Sequence, residues 1–218
     1  MIDPLDVDAR RLRLAVEGSH AHALASGGTL TPSVELGLRH DGGDGETGAG
    51  VELGAGLAFT EPAHGLTVEG RGRVLVAHQG DYEEWGLSGH IRIDPGADGR
   101  GLAFSLAPSL GETGSGVSRL WNQGAADLAP AGGGAANDNA PAGHLEAELG
   151  YGFGTLGGRG LLTPYGGFAL QPGGARDWRL GGRFEIAPSL TLSLEGTRRE
   201  SAADAPEHGI MPRGQLRF

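Results

Sequence analysis

The chain has 218 residues, a formal net charge of −10, 43 glycines and no cysteine. Without cysteine there is no disulfide scaffold, zinc–thiolate centre or cysteine nucleophile, and the negative charge disfavours nucleic acid as a partner. Glycine without a Gly-X-Y period excludes collagen, and no stretch approaches the roughly 18 apolar residues of a membrane helix.

Hydrophobic alternation has a period close to two through most of the chain, and helical i, i+3, i+4 spacing is nearly absent. The expected class is all-β, with strands over 10–20, 30–40, 48–60, 66–77, 84–94, 102–110, 144–153, 161–170, 177–186, 190–199 and 208–218. Most have the roughly 9–11 residues that a tilted strand needs to cross a bilayer. These strands form one unit over 10–218, an antiparallel up-and-down transmembrane β-barrel, with residues 1–9 read as a loop remnant.

The two faces differ consistently. One carries Leu12, Leu14, Val16, Val34, Leu36, Leu38, Val51, Leu53 and Leu57, then Leu87, Ile91, Leu149, Leu192 and Leu194. The other carries charge of both signs: Arg11, Arg13, Glu35, Arg39, Glu52, Glu69, Arg71, Arg73, Glu84, Arg92, Glu146, Glu148, Arg179, Arg183, Glu195 and Arg213. In a barrel these charges face the lumen, as cross-strand ion pairs or as determinants of solvent and ion passage. A soluble β-sandwich binding domain shows the same alternation with the faces exchanged, and stays open as an alternative.

The last strand places Gly214, Leu216 and Phe218 on its apolar side, the ending common to bacterial outer-membrane barrels. With that end in the periplasm, counting back puts segments 41–47, 78–83, 111–143, 171–176 and 200–207 outside. The long low-complexity 111–143 segment then falls on the side where such barrels carry long loops. Phe59, Tyr151 and Phe153 gather toward one rim and Trp85 and Trp178 toward the other, as membrane girdles do.

Chemical sites are sparse. Asp41, Asp44 and Glu46 cluster oxygen ligands on a turn, without the spacing of a calcium-binding EF-hand, and read as a solvated acidic hairpin. His20 and His22 have no third metal ligand nearby in sequence. His90 with Glu84, or His208 with Glu207, is the nearest approach to a catalytic pair, and no nucleophile motif accompanies either. Asn137-Asp138-Asn139 lies in the long loop, away from any lumen segment before the barrel. The chain is read as non-enzymatic, with no cofactor and no metal.

Several segments, taken together, match a known family. Asp8-Ala9-Arg10-Arg11-Leu12-Arg13-Leu14, the run from Leu30-Thr31-Pro32 through Arg39-His40-Asp41-Gly42-Gly43-Asp44, Tyr82-Glu83-Glu84-Trp85-Gly86 and Leu162-Thr163-Pro164-Tyr165 resemble the carboxy-terminal β-barrel of bacterial autotransporters. The resemblance implies a type V secretion translocator in the bacterial outer membrane. It also implies outer-membrane lipid, the barrel-assembly machinery and an exported passenger domain as partners, with Phe218, Leu216 and Gly214 forming the assembly signal. The sequence departs from that family in lacking a signal peptide, a passenger and a recognisable linker helix. It also has an odd strand number, from which the expectation is an incomplete copy of a barrel of twelve or more strands. A passenger-less, porin-like or structural barrel is the alternative within the same architecture.

Overall fold

The computed structural model describes residues 9–43, 47–80, 83–111, 143–171, 174–187, 190–201 and 205–216. They form strands β1 (Ala9–Ser19), β2 (His22–Ala23), β3 (Thr29–Gly43), β4 (Gly48–Glu61), β5 (Leu66–His78) and β6 (Trp85–Ile93). The series continues with β7 (Gly101–Gly111), β8 (Gly143–Thr155), β9 (Gly160–Leu170), β10 (Arg176–Ala187), β11 (Leu190–Glu200) and β12 (Glu207–Leu216). All belong to one sheet ordered β1-β3-β4-β5-β6-β7-β8-β9-β10-β11-β12, with two-residue β2 attached to β3. Every ladder is antiparallel, so the fold is all-β and up-and-down, consistent with a transmembrane β-barrel. The fold agrees with the sequence expectation, and β2 is the added element.

Local chemistry explains the connections. A short 3-10 turn, Pro62–His64, joins β4 to β5, with proline where its missing N–H is least needed. It ends at Gly65, whose φ of 63° suits glycine, and a Cβ there would sit 2.6 Å from the Asp94 carbonyl oxygen. A second turn, Leu156–Gly158, joins β8 to β9 at the same end of the sheet. The strand ends Gly43 and Gly48, His78 and Trp85, Gly111 and Gly143, Leu170 and Arg176, and Glu200 and Glu207 lie at the opposite end.

The register holds almost throughout. Its clearest irregularity is a bulge in β5, where Val51 pairs with Ala77 and Glu52 with Leu75, leaving Val76 between them without an opposite residue. Val76 and Ala77 therefore both turn to the apolar face, while Leu75 and His78 turn to the charged one.

The charged face is concave. Glu17 on β1 meets Arg71 on β5 at 3.0 Å, and Arg11 on β1 reaches Glu84, just before β6, at 3.6 Å. On a flat sheet β1 and β5 would be about 14 Å apart, three ladder spacings of roughly 4.8 Å. Contacts of this length on one face require the sheet to curl around that face.

Burial is inverted relative to a soluble protein. Among the described residues the buried hydrophobic side chains are Leu75 and Ala169, whereas Arg39, Asp41, Glu52 and Glu84 are all buried. Substantial contacts join only strands adjacent in the sheet, and no second sheet stacks on the apolar face among the described residues. The β-sandwich alternative requires that second sheet, and the apolar face lacks it.

Candidate functional site

The inner face holds two charge clusters. In the first, alternation and antiparallel pairing bring Arg13 opposite Arg39, and Glu52, opposite Gly37, two residues along on the neighbouring strand. Glu52 accepts a hydrogen bond from Arg13 Nε at 2.5 Å, with Arg39 Nη1 at 3.5 Å and Arg73 Nε at 4.0 Å. Glu35 accepts from Arg13 and, at 3.0 Å, from Arg73 Nε. Arg39 donates to Asp41 and to Glu84, both at 2.6 Å, and Arg11 donates to Asp41 at 2.7 Å. His78 lies with Nε2 3.7 Å from Asp41. Gly37 leaves room for this cluster, because a Cβ there would lie 3.1 Å from Glu52 Oε2 and 3.3 Å from Arg13 Nη2. Each carboxylate touches two or more cations, and the cluster ties together β1, β3, β4, β5 and the approach to β6.

The second cluster lies on β8–β11. Tyr165 donates its hydroxyl to Glu195 at 2.8 Å, and Arg179 pairs with Glu146. Gly181, opposite Tyr165, makes the ring's position possible, since a Cβ there would be 2.6 Å from the ring. Glu148 lies in the same register row as Arg179, through Gly167, and Arg183 lies opposite Thr163 and Ser193. Glu69 is opposite His90, Arg92 pairs with Asp94 at 2.6 Å, and Arg213 donates to the Met211 sulfur at 3.0 Å. The register thus sets all sixteen charged residues anticipated for the lumen on one face. Tyr165 was not anticipated: an aromatic within a strand reads as apolar, and its partner lies two strands away.

One sequence reading is corrected. Asp41 is not part of a solvated hairpin: it is buried inside β3, held by Arg11 and Arg39, while Asp44 and Glu46 lie outside the described residues. The two His–carboxylate couples set aside in the sequence take other places. Glu84 binds Arg39 while His90 faces Glu69, and Glu207 and His208, adjacent in β12, point to opposite faces. His20 and His22 approach edge to face at 4.4 Å between ring centroids. Among the described residues no three His, Cys, Asp or Glu side chains gather to hold a metal. Phe218 and Asn137-Asp138-Asn139 lie outside the described residues.

The outer face is apolar and open. Leu12, Leu14, Val16, Val34, Leu180 and Ile210 are each more than two-thirds exposed, and Leu36 is 54% exposed. Tyr151 and Phe153 pack at 4.7 Å between centroids near the Leu156–Gly158 end, with Phe59 at the same end of β4. Phe168 and Trp178 pack at 4.6 Å at the opposite end, where Trp85 opens β6. Phe184, in the register row of Phe153 and Leu162, joins the first group.

A single curled antiparallel sheet with charge within and aliphatic side chains without defines the class: a β-sheet of the transmembrane-barrel kind. No family model and no curated protein matches the sequence. Among solved structures, the chain is similar to the β domain of the Bordetella autotransporter BrkA, at 13% identity and a TM-score of 0.35. That match covers 97% of this chain and 92% of the other.

Proposed function

We propose that this chain is a non-enzymatic β-barrel of the bacterial outer membrane, serving as the translocator and anchor of an autotransporter. The observation that carries the membrane part is the inverted polarity. Exposed Leu, Val and Ile side chains ring the outside while Arg39, Asp41, Glu52 and Glu84 are buried inside. Such a face is stable against acyl chains and would aggregate in water. The inner charges are then structural, most of them pairing across strands within the lumen. The translocator part rests on the autotransporter-like segments of the sequence, and the all-antiparallel order fits such a barrel. Outer-membrane lipid, the barrel-assembly machinery and a passenger are the partners of this reading, with Gly214, Leu216 and Phe218 as the assembly signal.

The test is to express the chain behind a signal peptide and a reporter passenger. Heat-modifiable mobility in detergent gels, with the passenger open to external protease, is the expected result. A chain that stays monomeric and soluble without detergent sinks the membrane reading. Heat-modifiable protein with a passenger trapped inside sinks the translocator reading alone and leaves a structural or porin-like barrel.

A further inference from the structure

The outer face is not smooth. Toward the end where β3 stops and β4 starts it holds a cavity of about 520 Å³, within the size range of small-ligand sites. Leu12, Leu14, Leu38 and Val51 wall it, and the small side chains of Ala49 and Ala77 leave the space between them. By register these six belong to two neighbouring outward rows, Leu12↔His40↔Ala49 and Leu14↔Leu38↔Val51↔Ala77.

The bulge in β5 deepens the cavity. In an unbroken register Val76 would stand opposite Val51; the bulge sets Ala77 there instead, which removes two methyl groups at that point. Gln79 closes the β5 side: its backbone N–H donates to the Ala49 carbonyl and its side-chain oxygen accepts from the Ala49 N–H, both at 3.1 Å.

Charge on this part of the outer face is one-sided. Among the described residues of β1, β3, β4 and β5, alternation sets Arg10, His40 and Glu61 outward and no other ionisable side chain. His40 lines the cavity opposite Leu12, and Arg10 is the next outward residue after Leu12, about 7 Å further along β1. Glu61 ends β4 at the far end of the sheet. The basic groups thus stand at the strand ends, above the apolar slot, and the acid is a strand length away.

An apolar slot open to acyl chains, with a guanidinium and an imidazole at its rim, is complementary to both parts of one kind of molecule. We propose that this cavity holds an acyl chain of a lipid with an anionic phosphate headgroup, the phosphate lying against Arg10 and His40. A guanidinium offers phosphate oxygens paired N–H donors, whereas a choline on the same headgroup would bring a second positive charge to Arg10. The proposal rests on the membrane-barrel reading and adds a bound lipid to it.

The full chain, its native tryptophans changed to phenylalanine, carries a single reporter at Leu36→Trp, in the outward row next to the cavity, or at Leu149→Trp, on β8. Each is folded into phosphatidylcholine vesicles and titrated with phosphatidylglycerol or phosphatidylcholine brominated on the acyl chains. Half-maximal quenching of Leu36→Trp is expected at about fivefold lower mole fraction of the brominated phosphatidylglycerol, and at equal fractions of the two lipids for Leu149→Trp. Adding Arg10→Gln with His40→Ala, or separately Ala77→Leu to fill the slot, brings the two Leu36→Trp midpoints together. Equal midpoints without those changes overturn the proposal, as does a preference that survives either of them. The same preference at Leu149→Trp also overturns it, because the lipid is then enriched around the whole barrel. In all three cases quenching by either lipid keeps the membrane reading; its absence at both reporters overturns the two together.

Discussion

Replacing Glu52 with alanine removes the carboxylate that Arg13, Arg39 and Arg73 share. The Glu52 side chain is 3% exposed, and that of Arg39 1%, so neither recovers full hydration when its partner is lost. Breaking a buried ion pair from one side costs about 3–5 kcal/mol, because a charge is left in a poorly solvated place. Arg13 and Arg73 keep Glu35, and Arg39 keeps Asp41 and Glu84, which sets the expectation at the lower end, about 3 kcal/mol. The comparison is Asp94→Ala, which breaks a pair whose side chains are 53% and 44% exposed, expected to change stability by about 1 kcal/mol or less. Urea unfolding in lipid vesicles, followed by the fluorescence of Trp85 and Trp178, measures both. Equal effects for the two variants, or a Glu52→Ala loss under about 1 kcal/mol, would refute the cluster as a buried ion-pair network.

Leu36→Arg, on the outer face near the middle of β3, is expected to cost on the order of 2–4 kcal/mol in the same assay if it meets mid-bilayer lipid, and almost nothing on a wet surface. Gly181→Ala drives a Cβ into the Tyr165 ring and to 2.8 Å from the Leu194 carbonyl, for a loss of about 1–3 kcal/mol. Adding Tyr165→Ser should recover part of that loss, and strict additivity of the two changes would show that the ring is not the obstacle. Gly65→Ala must hold φ near 63° against the Asp94 carbonyl, and a loss of at least about 1 kcal/mol is expected, read as a lower unfolding midpoint.

The strands and their faces were legible because period-two alternation is a local property that a one-residue register change would invert. Leu12, Leu14 and Val16 already announce an apolar face on β1, and Glu35, Gly37 and Arg39 a polar one on β3. What stayed hidden depends on partners far along the chain. Asp41 sits in a sequence that reads as an acidic turn, Asp-Gly-Gly-Asp, and only the pairing of β1 with β3 brings Arg11 against it. The bulge at Val76 could not be read, since Val74-Leu75-Val76-Ala77 is apolar throughout and carries no phase. The partnership of Tyr165 with Glu195 spans two ladders, and Gly181 signals it only once the register is known.

The central claim is that the apolar face lies against acyl chains and the charged face does not. Leu180 on β10 is 74% exposed on the outer face, and Ser193 on the adjacent β11 points inward, opposite Arg183. Tryptophan placed singly at each position, with the native tryptophans changed to phenylalanine, is read in vesicles whose acyl chains carry bromine. The account predicts strong quenching of Leu180→Trp and little of Ser193→Trp; equal quenching at the two positions, or the reverse order, would contradict it.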